Sequence, residues 1–164
     1  PALVRAFIEC PRGTWGKYEL DEECGLLDAH FLVAAAARYP IHYGFIPSTL
    51  AGDGDPMDIF AIVSEPVVPG CLMNVRVLGV LEILVNGKDN PKIIAVAVDD
   101  PEFARMQHLD DVSSRSLQAV RAFYEEYKSR TKKTVCIAES CGDQQKAYEL
   151  IKNCMRAYKE KFSN

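Results

Sequence analysis

Asp53-Gly54-Asp55-Pro56-Met57-Asp58 places three carboxylates within six residues, directly ahead of the apolar run Ile59-Phe60-Ala61-Ile62-Val63. Two such charges about 5 Å apart repel by roughly 3 kcal/mol at an effective dielectric near 20. Asp-Gly and Asp-Pro form turns in any context, so a solvated turn is one reading of the cluster. A calcium loop of the EF-hand kind needs Gly at its sixth place and Glu at its twelfth. Counting from Asp53, those places hold Asp58 and Ser64, which excludes it. An Asp-x-Asp phosphatase nucleophile would end a hydrophobic strand, and residues 46–52 read as a loop, so that reading is weak. The other reading is a divalent-metal site. Magnesium prefers hard oxygen donors and takes one or two carboxylates plus waters and substrate phosphates. Gly54 lets the backbone fold tightly and Pro56 stiffens it. In an extended chain Asp53 and Asp55 face one side, and Asp58 closes in from the strand that follows.

A second set of polar residues precedes the cluster. Lys17 and Glu19 alternate onto one face of a short strand, with Tyr18 and Leu20 on the other. On their own they read equally as a surface ion pair. Tyr39-Pro40-Ile41-His42-Tyr43-Gly44-Phe45-Ile46-Pro47 carries two tyrosines, two prolines and a glycine, which describes an ordered loop. Its tyrosines read either as core or as site residues.

These residues need a scaffold, and the chain can supply one. Its 164 residues suit one globular domain that buries a core without staples. Residues 3–9 and 17–20 alternate as strands do, followed by a turn over 21–25. Residues 59–63 and the long run 72–85 are further extended segments, with Gly79 suited to a bend. Residues 92–98 read as a strand buried on both faces. The period then changes. Leu117, Val120, Tyr124 and Tyr127 recur at helical spacing, as do Ala147, Leu150 or Ile151, Cys154 and Tyr158. Residues 134–138 form a short strand between the two helices. The expected fold is α+β: a curled sheet or small barrel covered by helices. The alanine-rich stretch 31–37 fits a helix or a buried strand equally.

The net charge of −4 argues against a nucleic-acid or anionic-membrane surface. Six cysteines, at 10, 24, 71, 136, 141 and 154, contain no Cys-x-x-Cys and no zinc spacing with the three histidines. They read as free thiols of a reducing compartment. The N-terminal stretch lacks the apolar core of a signal peptide, and no apolar run approaches a membrane span. A soluble, cytoplasmic protein is expected.

Asp53-Gly54-Asp55-Pro56-Met57-Asp58-Ile59 resembles the signature of soluble family I inorganic pyrophosphatases. Residues 17–25, 39–50, 75–83 and 89–101 resemble that family's other landmarks in the same order. The likeness is dense from Glu9 to Asp100 and returns at Tyr127-Lys128. It implies one pyrophosphatase domain over residues 1–164, with a five-stranded closed OB-like barrel flanked by two C-terminal helices. It implies cleavage of pyrophosphate to two phosphates with Mg²⁺, Mn²⁺ being a substitute. Asp53 and Asp58 would be metal ligands and Asp55 the base that helps deprotonate the attacking water. Lys17, Tyr43, Lys92, Tyr127 and Lys128 would grip substrate oxygens, and Glu9 and Glu19 would support substrate-borne metals. The family also implies a homo-oligomer, hexamer or dimer.

The sequence departs from that pattern at three places. Where the family carries an arginine eight residues before the Tyr-Pro loop stands Phe31, or His30 if one residue is inserted; Arg38 is nearby. Neither Phe31 nor His30 is a permanently charged fork for phosphate, although His30 is a candidate substrate-binding residue. Where the family has two aspartates in register with Lys92 stand Val85 and Asn90. Asp89 is one residue out, which in an extended strand turns it to the opposite face. Either Asp89 serves as a displaced metal ligand, or the site has lost up to two carboxylates. The alternative to a working enzyme is therefore a weakened or inactive homologue that binds phosphate or metal, or acts as a partner subunit.

Overall fold

In the computed structural model, residues 2–30, 38–131, 134–138 and 140–162 are described, without the side chains of 127–131. The elements in order are β1 (Leu3–Cys10), β2 (Lys17–Asp21), β3 (Leu26–His30), β4 (His42–Ile46), β5 (Met57–Ile62), β6 (Cys71–Leu81), β7 (Ile83–Val85), β8 (Lys88–Asp89) and β9 (Lys92–Ala97). A 3₁₀ turn at Leu109–Asp111 leads to α1 (Ser114–Thr131), β10 (Val135–Ile137) and α2 (Gln144–Phe162). Five strands close a barrel in the order β1-β4-β5-β9-β6, with β6 pairing back to β1. Around it β5 and β9 run parallel and the other neighbours antiparallel.

Alternation explains the barrel. Ala6, Ile8, Ile46, Met57, Ile59, Ala61, Val75, Val77, Ile93 and Ala95 point inward and form one buried cluster. Helix α2 adds Ala147, Ile151 and Cys154, spaced by four and three so that they share one face. Asp143 caps that helix by accepting a hydrogen bond from the Lys146 amide at 2.9 Å. A second cluster lies outside the barrel wall, where Val120, Phe123 and Tyr124 of α1 cover Phe60, Ile94 and Leu81. β9 is buried on both faces, as its apolar run implies.

The expected long strand 72–85 divides. β6 ends at Leu81, and β7 leaves the barrel to pair with β8 and β10. The bend at Gly79 is real: pairing with β9 shifts register between Val77 and Gly79. A Cβ at Gly79 would lie 2.7 Å from the Gly142 carbonyl oxygen, so the chain leading into α2 packs only against a glycine.

Two strands differ from the sequence reading. The stretch 39–47 is not all loop, since His42–Ile46 is β4. Its central Gly44 hides the strand pattern, yet a Cβ there would sit 1.8 Å from the Phe7 carbonyl oxygen. β3 also went unread, because Leu26–His30 is mostly exposed and lacks an apolar alternation. It pairs with β2 and makes the hairpin that overhangs the barrel wall. The ambiguous stretch 31–37 lies outside the described residues.

His42 is 1% exposed. Its Nδ1 accepts a hydrogen bond from the Arg12 amide at 3.1 Å, so the neutral ring carries its proton on Nε2. Nε2 makes no hydrogen bond of good geometry among the described residues, only a weaker approach to the Glu65 backbone. Burial, with Arg12 adding to it, lowers the His42 pKa to about 4, and the Glu65 backbone opposes this only partly.

Candidate active site

The outward positions of the same strands carry the chemistry. On β5 the inward residues Met57, Ile59 and Ala61 alternate with Asp58, Phe60 and Ile62, and Asp58 pairs with Phe45. On β9 Lys92 precedes inward Ile93, which pairs with Ile59, so the parallel register brings Lys92 beside Asp58. Tyr43 lies opposite Phe60 on the neighbouring β4. β1 shifts register between Ile8 and Cys10, placing Glu9 at a bulge, a device that re-aims a side chain. The loop before β5 contributes Asp53 and Asp55. It is folded tightly by the Ala51 amide donating to the Asp55 carbonyl at 2.7 Å, with Gly54 at φ 99°. Hairpin strand β2 contributes Lys17 and Glu19, which pair with each other.

These groups line one cleft of about 420 Å³. Its walls hold six carboxylates (Glu9, Glu19, Glu22, Asp53, Asp55 and Asp58) against two lysines, Lys17 and Lys92. The imbalance is felt by the acids. Burial raises the Asp55 pKa, and the charges of Asp53 and Asp58 add to the shift. Glu9, only 8% exposed, is raised to about 7, mainly by burial, although its Oε1 accepts the Leu20 amide at 2.9 Å. Tyr43 is raised well above the usual tyrosine range, first by burial and then by Asp58.

A continuous hydrogen-bonded chain crosses the floor. The Tyr43 hydroxyl donates to Asp58 Oδ1 at 2.6 Å, and Lys92 Nζ donates to Asp58 Oδ2. Lys92 Nζ also donates to Asn90 Oδ1, while Asn90 Nδ2 donates to Asp53 Oδ2 at 2.7 Å. Tyr39, Phe123 and Tyr124 form an aromatic wall above it.

The surplus of acid fits hard divalent cations. Among the described residues no three Asp, Glu, His or Cys side chains converge into a ready-made cage. That suits ions which take one or two carboxylates each and fill their shells with water and substrate oxygens.

The expected residues separate into those the cleft gathers and those it does not. Glu9, Lys17, Glu19, Tyr43, Asp53, Asp55, Asp58 and Lys92 all line it. Asp89 does not. It is exposed on β8 opposite Leu84, and the next residue, Asn90, faces the cleft instead. This follows from the one-residue offset, because Asn90 lies two before Lys92 and shares its side of the chain. Val85 lines the cleft as an apolar residue. His30 is not among the cleft-lining residues; it pairs across the hairpin with Lys17, its Nε2 3.5 Å from Glu19 Oε2. Arg38 is also held elsewhere, donating to the Gly13 carbonyl at 3.0 Å and stacking 4.7 Å over the Trp15 ring. Tyr127 and Lys128 lie on α1, with side chains outside the described residues, and Phe31 itself falls outside the described residues. The role of Asn90 as a connector went unread, although its i, i+2 spacing to Lys92 was the available signal.

Comparison with known proteins agrees with this geometry. The inorganic pyrophosphatase family model matches residues 6–159. A soluble inorganic pyrophosphatase of Oryza sativa subsp. indica is 40% identical over 139 residues, covering 85% of this chain. The chain spans 65% of that relative's length. An inorganic pyrophosphatase of Halalkalibacterium halodurans is 39% identical over 159 residues, covering 97% of each chain. The crystal structure of inorganic pyrophosphatase from Thermus thermophilus superposes with a TM-score of 0.91 at 35% identity, covering 97% of this chain and 92% of that one. With the barrel, the acidic loop and the lysine-bearing strand in place, the chain belongs to the inorganic pyrophosphatase family.

Proposed function

We propose that the cleft hydrolyses inorganic pyrophosphate to two phosphates with divalent cations, Mg²⁺ in the first place and Mn²⁺ as a substitute. One observation carries the reading: Asp53, Asp55 and Asp58 share a cleft whose acids outnumber its lysines six to two. Asp53 and Asp58, with Glu9 and Glu19 further out, would hold the cations. A cation there supplies Lewis acidity and neutralises the charge of the substrate. Asp55, its carboxyl already biased towards protonation, accepts the proton of the attacking water. Lys17, Lys92 and Tyr43, joined from α1 by Tyr127 and Lys128, hold phosphate oxygens and stabilise charge on the leaving group. His30 acts at the rim through Glu19. Asp89 has no place in this scheme.

Purified protein with excess Mg²⁺ should release phosphate from pyrophosphate, and Asp55→Asn should nearly abolish release. A wild-type rate no higher than that of Asp55→Asn overturns the reading. Val85 and Asn90, neutral where the family carries aspartates, favour a second reading: a weakly catalytic homologue that binds phosphate or metal. We also read residues 1–164 as one domain, supported by the family match over 6–159. We further propose a homo-oligomer, hexamer or dimer, which sedimentation would count. A reducing, cytoplasmic setting is supported by six free cysteines. No described helix is long and apolar enough to cross a membrane.

A further inference from the structure

Every oxygen of Asp53 and Asp58 already has a donor. Asp58 is held by Tyr43 and Lys92. Asp53 Oδ2 accepts from Asn90 at 2.7 Å, and Oδ1 faces the Asp55 amide at 3.3 Å. The Lys92 side chain is only 5% exposed, and its ammonium is held by Asp58 and Asn90 in the floor of the cleft. Asn90 is suited to keep it there. Its carbonyl oxygen faces the ammonium and its amide nitrogen faces the Asp53 carboxylate, the one orientation in which both contacts attract. An aspartate at that place would repel Asp53, and an alanine would leave both neighbours without this partner.

From this we infer that Lys92, positioned by Asn90, is a built-in counter-cation of the Asp58 carboxylate, and that it competes with divalent ions for Asp58. The inference rests on reading the cleft as a divalent-cation site. A dication arriving at Asp58 meets the Lys92 ammonium on the same carboxylate, and the repulsion of the two cations weakens binding until the ammonium leaves. The released ammonium stays tethered to β9 and swings towards the space where phosphate oxygens bind. Metal loading thereby arms the anion-binding side of the cleft, and an anion arriving before the metal finds Lys92 engaged. Asn90 is a positioning residue: it sets how firmly Lys92 is kept at Asp58 and touches Asp53 from the other side.

The test is calorimetric titration of Mn²⁺, without substrate, into the full chain and its variants. Lys92→Met removes the charge while keeping an apolar stem of similar length, and it should bind Mn²⁺ about tenfold more tightly than wild type. Lys92→Arg restores a cation and should return the affinity towards the wild-type value. Wild type that binds Mn²⁺, with Lys92→Met binding equally or more weakly, overturns the inference and leaves the proposed function standing. No Mn²⁺ binding by wild type or Lys92→Met overturns both. A measurement that needs no variant guards against misfolding: acetic anhydride labelling of Lys92 in wild type, read by mass spectrometry. Saturating Mn²⁺ should raise labelling of Lys92 several-fold relative to other lysines, and unchanged or reduced labelling overturns the inference.

Discussion

Ile93 and Lys92 are neighbours on β9, one pointing into the barrel and the other out of it. Ile93 is fully buried among aliphatic side chains from several strands, held by many contacts none of which is directional. Lys92 is nearly as buried, but its position depends on two polar partners, Asp58 and Asn90, which lie 34 and two residues away in sequence. Packing is redundant and polar positioning is not. The inner face should therefore carry stability with little effect on chemistry, and the outer face the reverse.

The largest effect that sharpens this contrast is on rate. Asp55→Asn should reduce phosphate release by about 10²–10⁴-fold, the range expected for loss of a proton acceptor. Its folded carboxyl is raised, so the charged form weakens the fold at neutral pH. The metal-free unfolding midpoint should therefore hold or rise, and a marked fall would break the contrast. The inner face gives the opposite signature. Ile93→Ala should cost about 2–5 kcal/mol in denaturant unfolding. Its Mn²⁺ affinity per folded molecule should stay near wild type, and a large loss would mean that the two faces are not separable.

The pH dependence of His42 comes next. Its folded pKa of about 4 lies below the reference 6.5, so the unfolded chain binds the extra proton first. Stability is then fully present above pH 6.5 and falls as the pH drops towards 4, by up to about 3 kcal/mol. Glu9, raised to about 7, shifts stability the opposite way over the same range, so the His42 contribution is read as the stability difference between wild type and His42→Gln, which should fall between pH 7 and pH 5 in chemical denaturation. The smallest effect is expected at the rim of the fold, where Lys146 and Glu82 pair at 2.6 Å with both side chains over a third exposed. Lys146→Met should change stability by less than about 1 kcal/mol, because water and salt screen such pairs.

The same contrast decides what was legible in the chain. Residues 3–9 could be read as a strand from their alternation, and β5 and β9 from their unbroken apolar runs. Gly44 broke that pattern in β4 because the close approach of Phe7 leaves no room for a side chain. β3 lacked the pattern because its side chains are mostly exposed. The crowding of Asp53, Asp55 and Asp58 left a turn and a metal site both open, and the alternation of Lys17 and Glu19 an ion pair and a site; only the family resemblance chose between them. Asn90 was not, since an amide announces no chemistry until its two partners are known. Asp89 posed the choice between a displaced ligand and a lost one, and it lies exposed on β8, outside the residues that line the cleft.

The parallel pairing of β5 with β9 bears on how the chain is made. Asp58 leaves the ribosome 34 residues before Lys92, and β9 is the slat that closes the barrel between β5 and β6. A chain halted before β9 would expose two unpaired strand edges, each open to pairing with another chain. Its acidic loop would meanwhile stand without the ammonium that later sits beside it. Synthesis of the closing strand thus seals the sheet and brings the cleft its second lysine in one event.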